Sequence, residues 1–490
     1  MTSLPLPLYS AAQSRELDRR AIAAGTPGSA LMLRAGQSAF QYLREHWPDA
    51  SRIVVLVGRG NNGGDGYVLA RLAWTQHLDV RLLTVGAHEL LKGEAAEAAS
   101  DATRARVPES SWNGVLPDAD IYVDALFGTG LNRPPSGDFP AAIAALNAAG
   151  KPVLALDIPS GLVSDTGATP GAVVQASATI TFIALKAGLL TGRGPAVTGT
   201  LHLDDLGLSP TLAHDIEPVA TRLSRQQLPG WLPRRTRDAH KGRHGHVLIV
   251  GGNHGMAGAV ALAGEAALRA GAGLVTVATR PEHLMMLNAR RPELMCRTVT
   301  NIADFAPLMA KADVIVLGPG LGQDAWAAAL YGAVQDSGKP LVLDADGLNL
   351  LAQQPDHRSD RILTPHPGEA GRLLGISTAE VEADRPTAVR CLQQRFGGAI
   401  ILKGAGSLVA DEQHLHLCPY GNPGMGSGGM GDLLAGIAGA LYGQGLSVSA
   451  TACAAVTVHA LAGDDAAHAH GERGLLATDL LPYLHRQVNP

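Results

Sequence analysis

The stretch Asn422-Pro423-Gly424-Met425-Gly426-Ser427-Gly428-Gly429-Met430-Gly431-Asp432 runs directly into the apolar segment Leu433-Leu434-Ala435-Gly436-Ile437. A glycine-packed loop that opens a helix leaves several backbone N–H groups unpaired at the positive end of the helix dipole. Such a mouth binds phosphate oxygens. The run lacks Gly-Lys-Ser/Thr, so it is not a Walker A loop. The carboxylate of Asp432 repels phosphate and is better suited to accept a proton from a hydroxyl that meets it. Loop and acid together predict phosphoryl transfer. A merely flexible loop is the plainer alternative, but so many glycines are costly to order without a ligand.

Other segments of the same half point the same way. Lys403-Gly404-Ala405-Gly406-Ser407 follows a predicted strand and suits the purine and ribose side of a nucleotide, although an ordinary turn fits it equally well. Thr364-Pro365-His366-Pro367-Gly368-Glu369 ends another strand, where flanking prolines stiffen His366 for substrate recognition or for capping. Gly318-Pro319-Gly320-Leu321-Gly322 and Asp344-Ala345-Asp346-Gly347-Leu348-Asn349 also lie at strand ends. They permit close backbone approach and offer carboxylates to Mg²⁺ through water. Gly255-Met256-Ala257-Gly258-Ala259 begins a helix that would meet another part of the same ligand.

The first half carries a different signature. Gly58-Arg59-Gly60-Asn61-Asn62-Gly63-Gly64-Asp65-Gly66 contains Gly-x-Gly-x-x-Gly after a strand. The acid of a dinucleotide fingerprint is missing from the end of the next strand, because Asp79 precedes that strand. Asn61 and Asn62 instead bring amide donors and oxygen acceptors, which suit a polar ligand or a weakly held cation. Asp124-Ala125-Leu126-Phe127-Gly128-Thr129-Gly130-Leu131 and Asp157-Ile158-Pro159-Ser160-Gly161 end later strands. In a parallel sheet such ends converge on one crevice. Asp124, Asp157 and Ser160 are then oxygen groups around a shared ligand, although each alone would serve as a cap or turn former.

Strands that must position these groups are predicted at Arg52–Val57, Val80–Val85, Ile121–Leu126 and Pro152–Leu156, with Ala-rich helices between them. Helices at Gln13–Ala24 and Ala30–Leu43 precede them. A second block restarts at His246–Val250, with a helix at about Ala257–Ala270. Its further strands are Leu274–Ala278, Val314–Leu317, Leu341–Leu343, Ile362–Thr364 and Ile400–Leu402, and it closes with the glycine loop, two helices and a short tail. This alternation predicts βαβ crossovers and mostly parallel sheets. Between the blocks, Leu208 to Arg243 contains Pro210, Pro218, Pro229 and Pro233 without periodicity and reads as a boundary.

With 490 residues, 46% hydrophobic but only 4% aromatic, the chain has material for two or three tightly packed α/β cores. A formal charge of −5 argues against nucleic acid as the main partner. No apolar run is long enough to span a bilayer, and Met1–Ser10 has no signal-peptide pattern. Cys296, Cys391, Cys418 and Cys453 show neither metal nor redox spacing, so reduced thiols and a cytoplasmic protein are expected.

Asn61–Gly66 together with Asp157–Gly161 resembles the epimerase domain that acts on hydrated NADH and NADPH, over roughly Ala11 to His202. That resemblance implies a Rossmann-like domain with K⁺ near Asn62, Asp124 and Ser160. It also implies substrate contacts from Asn61, Asn62, Gly63, Gly64 and Asp65, from Gly128, Thr129, Gly130, Leu131, Asn132, Arg133 and Pro134, and from Asp157. Leu33 stands where relatives are expected to carry an acid. One carboxyl shuttling a proton suffices to expel and return water at C6 of the hydrated ring. Asp157 is the expected group, with Asp65 and Asp124 still open.

The later motifs resemble the ribokinase-like fold and, more closely, the ADP- or ATP-dependent dehydratase of hydrated NAD(P)H, over about Gly245 to Tyr483. This implies substrate contacts at Ala259, Gly322, His366 and Asp432, and adenine-nucleotide contacts along Lys403–Ser407 and Asn422–Gly431. In that reaction the S-form hydroxyl takes a phosphoryl group, Asp432 accepts its proton, and phosphate then leaves.

The expected architecture is α/β: a Rossmann-like three-layer epimerase domain over 1–215, a linker region over 216–240, and a ribokinase-like α/β domain over 241–490. The expected ligands are hydrated NADH and NADPH, ADP and AMP, with K⁺ at the first site and Mg²⁺ with ADP at the second. A homo-oligomer without nucleic-acid or membrane partners is expected. The alternative is a ribokinase-like small-molecule kinase fused to a nonenzymatic nucleotide-binding module.

Overall fold

The computed structural model describes residues 4–86, 91–131 and 133–490, so Asn132 lies outside the described residues. The chain forms two compact units, Met1–Ala220 and Thr221–Pro490.

In the first unit the strands are β1 (Arg52–Val57), β2 (Asp79–Thr84), β3 (Glu109–Ser111), β4 (Ile121–Ala125), β5 (Val153–Leu156), β6 (Ala178–Phe182) and β7 (Thr200–Asp204). They form a seven-stranded sheet in the order β3-β2-β1-β4-β5-β6-β7, and every pairing is parallel. Successive side chains of a strand point to opposite faces, and β1 shows the consequence. Ile53, Val55 and Val57 join the core that includes residues of the helices Gly28–His46, Asn61–Thr75 and Gly93–Arg104. Val54 and Leu56 join the core beneath the helix Phe139–Ala148. The unit is therefore three-layered, and both sheet faces are dry. That explains why its strands read as continuous apolar runs rather than alternating ones. The chain leaves β1 toward β2, then crosses back to β4 on the other side. The crevice between β1 and β4 is thus a topological switch point, where open α/β sheets bind ligands.

The second unit contributes β8 (Ala220–Arg222), β9 (His246–Val250), β10 (Leu274–Thr279), β11 (Met295–Thr298), β12 (Val314–Leu317), β13 (Leu341–Leu343), β14 (Arg361–Leu363), β15 (Ala399–Leu402), β16 (Ser407–Ala410) and β17 (Leu415–Cys418). Their order is β8-β17-β16-β15-β14-β13-β12-β9-β10-β11. Pairing is parallel from β11 to β15, while β15, β16 and β17 form an antiparallel meander. Val247 and Ile249 share one core with residues of the helices Ala257–Arg269, Met430–Gly443, Val448–His470 and Ala477–Gln487.

Several elements differ from the sequence-based expectation. The proline-rich boundary is partly built into the second unit: Ala220–Arg222 pairs with β17, and Leu223 and Leu228 are core residues. The last segment, expected as a tail, is the helix Ala477–Gln487, anchored by buried Leu480, Leu481 and Leu484. Strands β3 and β7 went unpredicted because they lack fully apolar runs, and β3 is wholly exposed. β6 is buried but spells Ala-Thr-Ile-Thr-Phe, whose hydroxyls masked its β-branched character. All four cysteines are free. Among the described residues, no helix is long and apolar enough to cross a membrane.

Candidate active sites

The strand ends of the first unit converge as the switch point requires. A cavity of about 630 Å³ is lined by Asn61, Asn62 and Asp65 after β1, by Gly128, Thr129, Gly130 and Leu131 after β4, and by Asp157 after β5. Arg133 and Pro134 do not line it, nor do Gly63 and Gly64. Gly63 and Gly64 instead pack against the Gly58 carbonyl and the Met32 side chain, so their small size serves the turn and the helix packing.

Asp157 sits at φ +63°, a left-handed conformation that is uncommon for a non-glycine residue. Its Oδ1 accepts hydrogen bonds from Lys186 Nζ at 2.6 Å, Thr181 Oγ1 at 3.1 Å and the Phe182 amide at 3.4 Å. Lys186 is 1% exposed and also donates to the Phe182 carbonyl at 2.7 Å. With Oδ1 so engaged, Oδ2 lies beside Gly128, where an added Cβ would stand 3.3 Å from it. Gly128 thus lets the loop pass close to the carboxylate. Burial, the Asp157 charge and the Asp18 charge together raise the Asp65 carboxyl well above its ordinary value. Asp18, from the helix Ala11–Ala23, also lines the cavity, and burial raises it to about 6. Lys186 and Asp18 were missed by sequence reasoning. A lone lysine inside Phe182–Leu190, an otherwise uncharged run, was the available signal for the first; Asp18 looked like one polar position of an amphipathic helix.

Behind this cavity, Asn62 Nδ2 donates to the Phe127 carbonyl at 2.9 Å, and the Phe127 amide donates to Ser160 Oγ at 2.9 Å. Ser160 Oγ and its amide reach Asp124 at 2.6 and 2.8 Å. Asp124 is fully buried, which raises its carboxyl to about 6 despite those bonds. The buried Asn62 Oδ1 has no hydrogen-bond partner among the described residues. A buried orphan acceptor is costly. An all-oxygen set of amide, carboxylate, hydroxyl and carbonyl fits a hard monovalent cation.

In the second unit, the ends of β13, β14 and β15 bring Asp344, Glu369 and Lys403 together. Lys403 Nζ lies 2.9 Å from Asp344 and 3.9 Å from Glu369. Burial alone would lower the Lys403 ammonium, but Asp344 and Glu369, with help from Asp432, outweigh it and hold it above its ordinary value. Gly431 is pressed against this cluster: a Cβ there would stand 3.2 Å from Lys403 Nζ and 3.4 Å from Asp344 Oδ2. The next residue is Asp432, whose carboxyl is raised to about 7 by burial first and by Asp344 second, with Lys403 opposing. It occupies the first turn of the helix Met430–Gly443, whose N-cap, Gly429, makes no side-chain capping bond. No N-cap side chain therefore occupies the amides at that mouth.

The rest of the predicted set is distributed around this centre. His366 is the N-cap of the helix Pro367–Leu374 and is paired reciprocally with Glu369. The Gly322 amide donates to Asp346 at 2.8 Å, and Ala259 packs on Gly320 of the same loop. Ala345, between Asp344 and Asp346, has φ +46°, so the turn that aims the two carboxylates is strained. Ser407 Oγ closes the Lys403–Ser407 turn onto the Gly404 carbonyl at 3.0 Å. Arg385 braces that turn from below through the Lys403 carbonyl at 3.2 Å, a support that sequence reasoning missed. Asn422 Nδ2 and the Gly421 amide are both held by Asp464 at 3.0 Å, which fixes the start of the glycine loop.

Comparison with known proteins bears on both units. Residues 247–486 match the family described as NAD(P)H-hydrate dehydratase, and residues 28–188 match the family described as YjeF-related protein N-terminus. The chain is 50% identical over 485 residues to a bifunctional NAD(P)H-hydrate repair enzyme of Coxiella burnetii, covering 99% of each. It is 51% identical over 462 residues to the enzyme so named from Escherichia coli K12, covering 94% of this chain and 89% of that one. Among solved structures, a ribokinase-like superfamily protein from Enterococcus faecalis is similar, with a TM-score of 0.50 and 30% identity. That match covers 55% of this chain and 95% of the other.

Proposed function

The chain belongs to the family of bifunctional NAD(P)H-hydrate repair enzymes, and from that premise we propose how its two sites divide the work. The first unit interconverts the R and S forms of hydrated NADH and NADPH. The second dehydrates the S form at the expense of ADP, releasing AMP and phosphate. The alternative of a small-molecule kinase fused to a nonenzymatic module has no support from relatives similar along the whole chain.

In the first site, Asp157 is the proton-transfer group. Its Oδ1 is anchored by Lys186, which leaves Oδ2 to the C6 hydroxyl. Asp65, whose carboxyl burial and the neighbouring Asp157 and Asp18 charges raise well above its ordinary value, is the group placed to replenish the proton. Protonation of the hydroxyl releases water, and the ring-nitrogen lone pair stabilises the cation until water returns on either face. Asn61, Asn62, Thr129 and Leu131 hold the nucleotide around it. The oxygens of Asn62, Asp124, Ser160 and the Phe127 carbonyl would hold K⁺, which would give the orphan Asn62 Oδ1 a partner and tie down the Phe127–Leu131 loop. Replacing K⁺ by Li⁺ is expected to lower both epimerisation and the melting temperature of this unit; identical melting in the two salts would remove the cation from the account.

In the second site, the uncapped amides at Gly429–Gly431 hold the donor's terminal phosphates. Asp344 and Glu369 would hold the Mg²⁺ that accompanies ADP, directly or through water, and the ion would supply charge neutralisation on the phosphate. Lys403 steadies the same carboxylates, and the Lys403–Ser407 turn meets the adenine nucleotide. Asp432 accepts the proton of the substrate hydroxyl as the phosphoryl group arrives, and His366, Gly322 and Ala259 contact the hydrated nucleotide. The observation that carries this reading is the juxtaposition of Asp432, Lys403 and Asp344 at a helix mouth whose N-cap is a glycine without a side-chain cap.

The Asp432 carboxyl accepts a proton only when ionised, and it is held at about 7 in the free protein. Dehydration kcat/KM is therefore expected to fall about tenfold per pH unit below that value and to level off above it. A flat profile across neutral pH would remove Asp432 as the base. The overall assignment is tested by mixing R- and S-hydrated NADH with the protein, Mg²⁺ and either ADP or ATP. Recovery of reduced-nicotinamide absorbance in step with free phosphate is expected, faster with ADP. A stable phosphorylated product would overturn dehydration.

A further inference from the structure

We propose that Asp411, His414 and His416 form a binding site for a divalent transition metal of the zinc class, at the tip of the β16–β17 hairpin. The hairpin places them by strand geometry. Val409 pairs with His416 and Ala410 with Leu415, and the Asp411 amide donates to the His414 carbonyl at 3.1 Å, closing a tight turn. Side chains two apart on a strand share a face. Leu415 and Leu417 therefore share one buried face, while Asp411, His414 and His416 turn together to the other, where Val409 and Cys418 pack in the core with residues of the helix Val448–His470 and the three polar side chains occupy the hairpin end.

Their ligand atoms all lie within 4.8 Å of one another, and His414 Nδ1 is 3.6 Å from Asp411 Oδ1. Tetrahedral zinc, with bonds of about 2.0–2.1 Å, sets its ligand atoms roughly 3.3–3.4 Å apart, so the three groups need to close in by little more than 1 Å at most. An independent observation points to a ligand: the buried His416 Nδ1 has no hydrogen-bond partner among the described residues. A metal ion satisfies that nitrogen, as hydration does for an exposed imidazole.

The carboxylate is held in place by the turn: Asp411 Oδ1 accepts from the Gln413 and His414 amides at 2.9 and 2.7 Å. Ser449 belongs to the helix Val448–His470 and donates to Asp411 Oδ2, so it orients the ligand from behind, as second partners of metal ligands do. Two imidazoles and one carboxylate suit Zn²⁺, Co²⁺ or Ni²⁺ rather than Mg²⁺ or K⁺. The fourth coordination position is left to water or to a ligand from solution. The site is separate from the nucleotide loops. It pins one end of the hairpin whose other end leads into Lys403–Ser407 and into Asn422–Asp432.

The test uses the full chain, stripped with chelator and kept in excess Mg²⁺ so that carboxylate sites are occupied, and titrated with ZnCl₂ by calorimetry. One Zn²⁺ per chain is expected, with a rise in melting temperature. The H414N/H416N variant is expected to bind at least about tenfold more weakly and to lose that rise, while its dehydration rate stays unchanged, which certifies its fold. Co²⁺ added to the unmodified protein is expected to give the visible absorption of a tetrahedral site, abolished by Zn²⁺. Equal Zn²⁺ affinity in the double variant, or no tetrahedral Co²⁺ spectrum in the unmodified protein, overturns the site.

Discussion

Asp432→Asn is expected to lower the dehydration rate by about 10²–10⁴-fold, the usual contribution of a positioned general base, while epimerisation proceeds at the unmodified rate. The substitution keeps the shape of the side chain and removes its capacity to take a proton. It also removes the charge that burial and Asp344 penalise, so folding stability should be unchanged or slightly improved. Because the carboxylate repels phosphate, ADP affinity should hold or rise. The pattern to look for is a collapse in kcat with KM for ADP little altered. A loss of less than about tenfold would show that the proton leaves by another route, and Asp344, next in the cluster, would become the candidate.

Lys186→Met is expected to cost more than activity. The ammonium is buried against Asp157 Oδ1, Thr181 Oγ1 and the Phe182 carbonyl. Removing one member of such a pair strands the other charge in a dry setting, at a cost of about 3–5 kcal/mol. The first unit should therefore melt markedly earlier, with the S-form dehydration of the second unit retained. Epimerisation, followed by chromatographic conversion of purified R form to S form, should fall at least about 10²-fold, because Asp157 loses the partner that holds its carboxylate in place. Asp157→Asn should abolish the same conversion and also lower the melting temperature, because it leaves the buried Lys186 ammonium without its counter-charge. Full epimerisation in both variants would leave Asp65 and Asp18 as the chemistry-bearing acids of the cavity.

Some of this was legible before any fold existed. The run Arg52–Val57 had to be a buried strand. The glycines before Leu433 had to open a helix, and Asn61–Asp65 had to follow a strand end. Each of these statements concerns neighbours in the chain, whose spacing fixes local geometry directly. The same holds for His366, whose flanking prolines and following Glu369 already spell a capped helix start.

What the amino-acid order did not decide was which distant groups would meet, and in what electrical state. Lys403 lies 59 positions from Asp344 yet ends 2.9 Å from it, and Lys186 reaches Asp157 across 29 positions. Only the register of parallel strands brings such ends level. Nor does an aspartate announce its proton affinity. Asp432, Asp65 and Asp124 are the same residue in the sequence, and their carboxyls shift upward only because packing strips water from them and, at Asp432 and Asp65, sets other charges beside them. Chain order therefore fixed the loops and the strands that carry them. The tertiary structure decided the pairings and the proton affinities, because dielectric and distance are properties of the packed molecule and not of its residues.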